Sequence, residues 1–102
     1  MGTYEDIMIL EGEREVESEL DYYASMQRTI NAGTWSLQGS FGRSMMEAIE
    51  GGRCLLGTYR AADAYGNRIP ARTDVQEGTK GNRGYVVEAM GEDWAVAMEG
   101  QP

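Results

Sequence analysis

The chain has 102 residues, enough for one domain with one hydrophobic core. Its proportions of apolar and charged residues are those of a globular protein, which excludes a disordered chain. Histidine is absent and Cys54 is the one cysteine, so the sequence excludes an intrachain disulfide, a cysteine-rich zinc site and a histidine base. We therefore expect a single domain over residues 1–102, with no metal, no cofactor and no catalytic residues.

The net charge of −8 is distributed unevenly along the chain. Residues 1–21 carry a net charge of −7, residues 22–83 a net charge of +3 and residues 84–102 a net charge of −4. Such asymmetry indicates binding partners. Direct binding of nucleic acid is disfavoured, because the negative total repels a polyanion at long range.

No apolar run is long enough to cross a bilayer, and the N-terminus is acidic where a signal peptide would be basic. These features predict a cytoplasmic protein without a membrane partner.

The first predicted element is a long helix that ends near Ala32. Thr3 and Asp6 resemble a helix-capping arrangement, and Gly12 can bend or restart the helix. Apolar residues then recur at helical spacing on one side. This stripe consists of Ile9, Val16, Leu20, Tyr23 and Ile30. The glutamate-rich outer surface is either solvated or a docking surface for another molecule.

A second helix is predicted to run to Glu50, where two glycines end it, with Thr34 or Ser36 as its cap. Gly39 and Gly42 are unfavourable inside a helix. One interpretation is close packing onto the first helix. The other is a helix that begins after Gly39 and leaves backbone N–H groups near its start as an anion cradle.

Residues 53–59 are too few and too apolar for a helix, so we expect a buried strand or an extended segment, with Cys54 as a buried apolar residue. Residues 60–84 show little periodicity and read as a long loop with a turn at residues 65–67. Long loops in small domains tend to be functional when ordered. This loop is the best local indication of a site.

The last region favours a final helix from Glu92, and either a helix or a short strand at residues 85–87 before it. Residues 100–102 are expected to fray. The predicted fold is therefore mainly α, of the α+β type. It contains two or three helices, a long first helix packed on a second, a short strand or extended segment, and a long Gly/Arg-rich loop.

Positive charge concentrates in the middle of the chain, where six of the eight arginines lie between residues 43 and 83. Arginine suits phosphate and carboxylate groups, and tyrosines interleaved with arginines can stack on a base. The candidate ligand-binding residues are Arg43, Tyr65, Arg68, Arg72, Lys80, Arg83 and Tyr85. The alternative is that these arginines pair with acidic residues of the same chain, as surface ion pairs of little energetic weight.

The series Gly78-x-x-Gly81-x-x-Gly84 can present backbone N–H groups to an anion. It does not have the spacing of a Walker A loop, and it does not follow a strand as a dinucleotide fingerprint would. It is therefore a weak signal on its own.

In type, a short acidic chain without catalytic residues resembles the accessory proteins that phages and other mobile elements use to block host defence. That resemblance implies one of two activities. The first is capture of a small anionic, nucleotide-like ligand by a homo-oligomer. The second is inhibition of a host protein, as anti-CRISPR proteins and nucleic-acid mimics do, through the acidic first helix.

Overall fold

The computed structural model describes residues 18–36 and 39–102. In these ranges the chain is mainly helical with a small two-stranded sheet, which confirms the predicted class, although they contain four α-helices where two or three were predicted. The helices are α1 (Glu19–Asn31), α2 (Gly39–Glu50), α3 (Arg83–Met90) and α4 (Glu92–Glu99), with a 3₁₀ turn at Thr34–Ser36; the strands are β1 (Ala61–Ala62) and β2 (Arg68–Ile69).

Helix α1 begins immediately after Ser18, whose backbone is extended (φ −155°, ψ 164°). The Ser18 hydroxyl accepts a hydrogen bond from the Asp21 N–H at 3.1 Å, which caps the first turn. The predicted continuous long helix is therefore wrong at this residue, and α1 is about 20 Å long. Its predicted start, with the capping arrangement at residues 3–6, lies outside the described residues. The predicted end is confirmed, because Gly33 follows with φ 74°.

The buried face of α1 differs from the predicted stripe. Leu20 is 38% exposed, whereas Ser25, Gln27 and Thr29 are buried with Ile30. Polar residues can occupy this face because each has a hydrogen-bond partner; the Thr29 hydroxyl, for example, donates to the Met26 carbonyl at 2.7 Å. The first two residues of the stripe lie outside the described residues.

Helix α2 ends at Glu50 as predicted, and it packs on α1 through the buried Met45, whose sulfur lies 3.8 Å from the Thr29 hydroxyl. The close-packing interpretation of Gly42 is wrong, because among the described atoms a Cβ there would meet only the Trp35 carbonyl, at 3.8 Å. Gly42 therefore faces the 3₁₀ turn and not α1. The predicted cap at Thr34 or Ser36 is also wrong, because these residues form the separate 3₁₀ turn. The alternative start after Gly39 is wrong as well, because Gly39 is the first residue of α2.

Of the predicted buried segment 53–59, residues 54–57 are buried and belong to no strand, whereas Thr58 and Tyr59 are exposed, so the prediction is wrong at that end. The Gln27 side chain takes the place of a neighbouring strand as the hydrogen-bond partner of the Leu55 backbone. Its Nε2 donates to the Leu55 carbonyl at 3.0 Å, and its Oε1 accepts from the Leu55 N–H at 2.7 Å. The next N–H, that of Leu56, donates to the Gly81 carbonyl at 3.1 Å. A glutamine from α1 thus satisfies a buried backbone unit that has no neighbouring strand.

The predicted loop over residues 60–84 contains a short antiparallel hairpin. Ala61 pairs with Ile69 and Ala62 pairs with Arg68. The predicted turn is confirmed between the strands, where Gly66 has φ 83°. Pairing places the buried Ile69 on the inner face of the hairpin and the exposed Arg68 on its outer face.

At the C-terminal end, α3 excludes the predicted alternative of a strand at residues 85–87, and the predicted helix from Glu92 is confirmed as α4. The last residues are not frayed. The Arg28 Nη1 donates to the Gln101 Oε1 at 2.6 Å, and the Asn31 Nδ2 donates to the Gln101 carbonyl at 3.0 Å. Polar groups near the end of α1 therefore hold the C-terminal residues in place.

Buried residues from all four helices form one hydrophobic cluster. Segment 54–56, Trp35 of the 3₁₀ turn and Ile69 of the hairpin complete it. None of the helices in the described ranges has both the length and the apolar character to cross a membrane.

Candidate functional site

A cavity of about 280 Å³ lies between α2, the 3₁₀ turn and the hairpin. It brings together two of the seven predicted ligand-binding residues, Arg43 and Tyr65. The other lining residues are Trp35, Gly42, Met46, Asp63, Ala64 and Ile69. We call this space the hairpin cavity.

The wall of the hairpin cavity is mostly apolar. Trp35 and Ile69 are 4% and 8% exposed, and both belong to the hydrophobic cluster, against which Met46 packs. Gly42 also lines the cavity, where a Cβ would lie 3.8 Å from the Trp35 carbonyl, an ordinary contact distance. Sequence reasoning missed this apolar wall, because the residues that form it are separated in sequence and come together only when the hairpin folds back.

The two predicted residues line the cavity with exposed side chains. Arg43 is exposed and forms no hydrogen bond or ion pair with any other described residue. Tyr65 is 86% exposed. An exposed ring and an uncompensated guanidinium beside an apolar wall can hold a planar ring system with a negative group.

Asp63 fixes the turn that carries Tyr65. Its Oδ1 accepts from the N–H groups of Tyr65 and Asn67, each at 2.9 Å, and its Oδ2 accepts from the Asn67 Nδ2 at 3.1 Å. Desolvation alone would raise the pKa of Asp63, but the hydrogen bonds from Asn67 and Tyr65 outweigh it and lower the pKa. Asp63 therefore positions Tyr65 and remains a negatively charged carboxylate whose oxygens are hydrogen-bonded within the turn.

Arg68 lies on the opposite side of the hairpin from this cavity. It lines an outer groove of about 590 Å³ together with Arg60 and Asp74. Arg60 donates from Nε and Nη2 to the two carboxylate oxygens of Asp74 at 2.7 and 2.8 Å. Arg68 is exposed and has no such partner among the described residues.

Arg72 and Arg83 are engaged within the chain. Arg72 donates from Nε to the Leu56 carbonyl at 2.8 Å and from Nη2 to the Asn31 Oδ1 at 3.1 Å. Burial lowers the pKa of Arg72, and the charge of Glu99 opposes this effect. Arg83 pairs with Glu92 and Glu99, which raise the pKa of its guanidinium. The expected pairing of arginines with acids of the same chain is thus present at Arg83 and at Arg60.

The last two predicted residues lie away from the hairpin cavity and do not line it. Lys80 is exposed in the segment before α3. The Tyr85 hydroxyl donates to the Glu50 carbonyl at 2.8 Å, and its ring lies beside Gly52. This hydrogen bond joins α3 to the end of α2.

The glycine series was predicted to present backbone N–H groups to an anion. Two of these N–H groups instead bind the side chain of Asn82, which lies within the same segment. The N–H groups of Gly78 and Gly84 both donate to the Asn82 Oδ1 at 2.9 Å. Asn82 is also the N-cap of α3. The geometry of the predicted cradle is therefore present, but a neutral amide oxygen occupies it. Asparagine immediately before a helix was the sequence signal for this arrangement.

Cys54 is fully buried, and burial raises the pKa of its thiol well above the usual range. Within the described ranges no group of three or more His, Cys, Asp or Glu side chains is placed to hold a metal ion. Comparison of the chain with known protein families, with curated proteins and with solved structures finds no match.

Proposed function

We propose that this is a small non-enzymatic binding protein that captures an anionic, nucleotide-like ligand in the hairpin cavity. The observation that carries the proposal is that Arg43, which has no ion-pair partner among the described residues, and the highly exposed Tyr65 line the same largely apolar cavity. Exposed aromatic rings and free guanidinium groups are the side chains that bind a stacked base and its phosphate.

In this arrangement Tyr65 stacks on the planar part of the ligand and Arg43 pairs with its negative group. Trp35 and Ile69 exclude water from one side of the ring, which strengthens the ion pair. The net charge of −8 is compatible with a small ligand, because repulsion beyond about 8–10 Å is screened at physiological salt. The biological role that we propose is sequestration of a nucleotide signal in the cytoplasm, as an anti-defence protein of a phage or mobile element.

Native mass spectrometry of the purified protein tests this proposal first, because it reports bound small molecules and subunit number together. We expect extra mass that matches a nucleotide. Calorimetric titration with a panel of mono- and dinucleotides then gives affinities. A protein that carries no added mass and binds no member of the panel would refute nucleotide capture.

Two pairs of variants locate the ligand. Arg43→Ala removes the free guanidinium and Tyr65→Ala removes the exposed ring, and each should weaken binding about tenfold or more. Their controls are Lys80→Ala and Tyr59→Ala, which remove an exposed cation and an exposed ring that do not line the hairpin cavity. Equal losses from a variant and its control would place the ligand elsewhere.

A second candidate function is inhibition of a host protein through the acidic N-terminal region. Glu19 and Asp21 are exposed at the start of α1 on either side of the exposed Leu20, a combination suited to a basic surface with an apolar centre. This activity predicts salt-sensitive binding to the host protein that is lost when Glu13, Glu15, Glu17 and Asp21 are replaced by glutamine. Binding that survives these replacements at low salt would exclude it.

A further inference from the structure

The outer face of the hairpin is a second surface with an incomplete set of contacts. Strand alternation and the burial pattern place four exposed residues on it. They are Arg60, Ala62, Arg68 and Pro70, and they line the outer groove of about 590 Å³, whose remaining lining is Ala61, Gly66, Ile69 and Asp74. No described element covers these residues. They form a surface on which the small apolar side chains of Ala62 and Pro70 lie beside two arginines.

The hairpin is held rigidly in its shape. Asp74 accepts from the Ala71 N–H at 2.9 Å while it binds Arg60 through two hydrogen bonds, and Asp63 closes the turn with three more. Arg60 is neutralised by Asp74, whereas the charge of Arg68 is not neutralised by any described residue. The outer groove is therefore preorganised and carries a net positive charge.

The same chain presents a surface of complementary chemistry on α4. Val96 is 53% exposed, and it follows Glu92 and Asp93 by four and three residues, so the three side chains share one face of the helix. Asp93 is exposed and forms no ion pair within the described part of the chain. Glu92 is already paired with Arg83, so this face has the exposed Val96 at its centre and one acid without an ion pair among the described residues, Asp93, beside it, a charge complementary to that of Arg68.

We propose that the outer groove binds the α4 face of a second copy of this chain. Val96 packs on Ala62 and Pro70, and Asp93 pairs with Arg68. Apolar contact supplies most of the affinity, while the charges set the orientation and the rate of association. Because the two patches differ, the contact is heterologous, and successive copies either close into a ring or extend as a series. The inference is independent of the hairpin cavity, since Arg43 and Tyr65 take no part in it.

The test is a charge exchange followed by sedimentation velocity at low ionic strength over a range of protein concentrations. Wild type should associate beyond the monomer as concentration rises, and added salt should weaken this association. Arg68→Glu and Asp93→Arg should each weaken it at least tenfold, because each places like charges opposite one another. The double variant restores opposite charges and should recover most of the association.

Lys80→Glu is the matched control, because it changes the net charge by the same amount as Arg68→Glu at an exposed residue outside both patches. It should leave association unchanged. A wild-type protein that is monomeric at all concentrations would overturn the proposal, as would equal effects of Lys80→Glu and Arg68→Glu or a double variant without recovery. A monomer that binds oligothymidylate through Arg68 would instead assign the groove to single-stranded nucleic acid.

Discussion

Segment 54–56 and the hairpin both lie between α2 and α3, but they are held in opposite ways. The buried segment depends on distant side chains, since Gln27 and Arg72 bind the backbone of Leu55 and Leu56. The hairpin depends on nearby ones, because Asp63 and Asp74 bind groups within a few residues of themselves or across the same hairpin. Only the second arrangement leaves its exposed side chains free for other molecules.

This contrast separates arginines that the sequence presents as equivalent. Arg68 and Arg72 are four residues apart, yet Arg68 is exposed and has no ion-pair partner among the described residues, whereas Arg72 hydrogen-bonds to the backbone of the buried segment. Substitutions around the buried segment should therefore change stability, whereas substitutions on the hairpin should change binding.

Gln27→Leu tests the buried segment with the largest expected effect. The substitution leaves the buried N–H and C=O of Leu55 without partners, and each unsatisfied group costs about 1–3 kcal/mol. We expect the free energy of unfolding, measured in urea, to fall by about 4 kcal/mol. Gln76→Leu, at an exposed residue, should stay within about 0.5 kcal/mol of wild type. Similar losses in both variants would contradict the role assigned to Gln27.

Gly81→Ala and Gly78→Ala separate steric overlap from backbone strain near the same segment. Both glycines have positive φ, of 89° and 83°, but only a Cβ at Gly81 would lie 2.5 Å from Leu56 side-chain atoms. Strain costs about 1–2 kcal/mol at either residue, and overlap adds about 1–3 kcal/mol at Gly81. Thermal unfolding should therefore show a loss of about 3 kcal/mol for Gly81→Ala and about 1 kcal/mol for Gly78→Ala. Equal losses would mean that Leu56 moves aside freely.

Arg72→Ala and Arg68→Ala compare the two arginines directly. Arg72→Ala removes two charge-assisted hydrogen bonds and leaves the Leu56 carbonyl without the guanidinium, so we expect unfolding free energy to fall by about 2 kcal/mol. Arg68→Ala should change it by less than about 0.5 kcal/mol. The unfolding free energies of the two variants are compared through their denaturant midpoints, provided that the denaturant dependence (the m-value) is the same. A larger loss from Arg68→Ala would reverse the assignment of roles.

The smallest expected effect is on the pH dependence of the unfolding free energy, through Asp74 beside the hairpin. Hydrogen bonds from the Arg60 side chain and the Ala71 backbone lower the pKa of Asp74 to about 2. Its contribution to stability is therefore complete above the unfolded-state pKa of about 3.9 and is lost as pH falls toward 2. Asp74→Asn should flatten the stability profile below pH about 4, as measured by chemical denaturation at successive pH values. Glu88→Gln, at an exposed acid that forms no ion pair within the described ranges and lies in neither proposed binding surface, is the matched control and should leave that profile as in wild type.

Much of the helical content could be predicted, because its signals are local. Two glycines after Glu50 end α2, and acidic residues after Gly91 begin α4, so sequence spacing alone placed these boundaries. The burial of segment 54–56 also followed from its composition. The predicted first helix passes through Ser18 without a break, because a serine inside a periodic pattern gives no sign that it will cap a helix.

Long-range polar pairing could not be predicted. Gln27 and Leu55 are 28 residues apart, and a glutamine on a helix ordinarily indicates a solvated side. For the same reason the sequence grouped seven candidate residues by proximity along the chain, whereas folding brought only Arg43 and Tyr65 to one cavity. The partners of Arg72 are separated from it by 16 and 41 residues.

The hydrogen bond between the Leu55 N–H and Gln27 also has a consequence for backbone dynamics. Leu55 is fully buried, outside any helix or strand, and its amide donates to a side chain on a different part of the fold. Exchange of this proton with solvent requires α1 to separate from the segment and so to open the whole core. The Leu55 amide should therefore exchange as slowly as the best-protected amides of the helices.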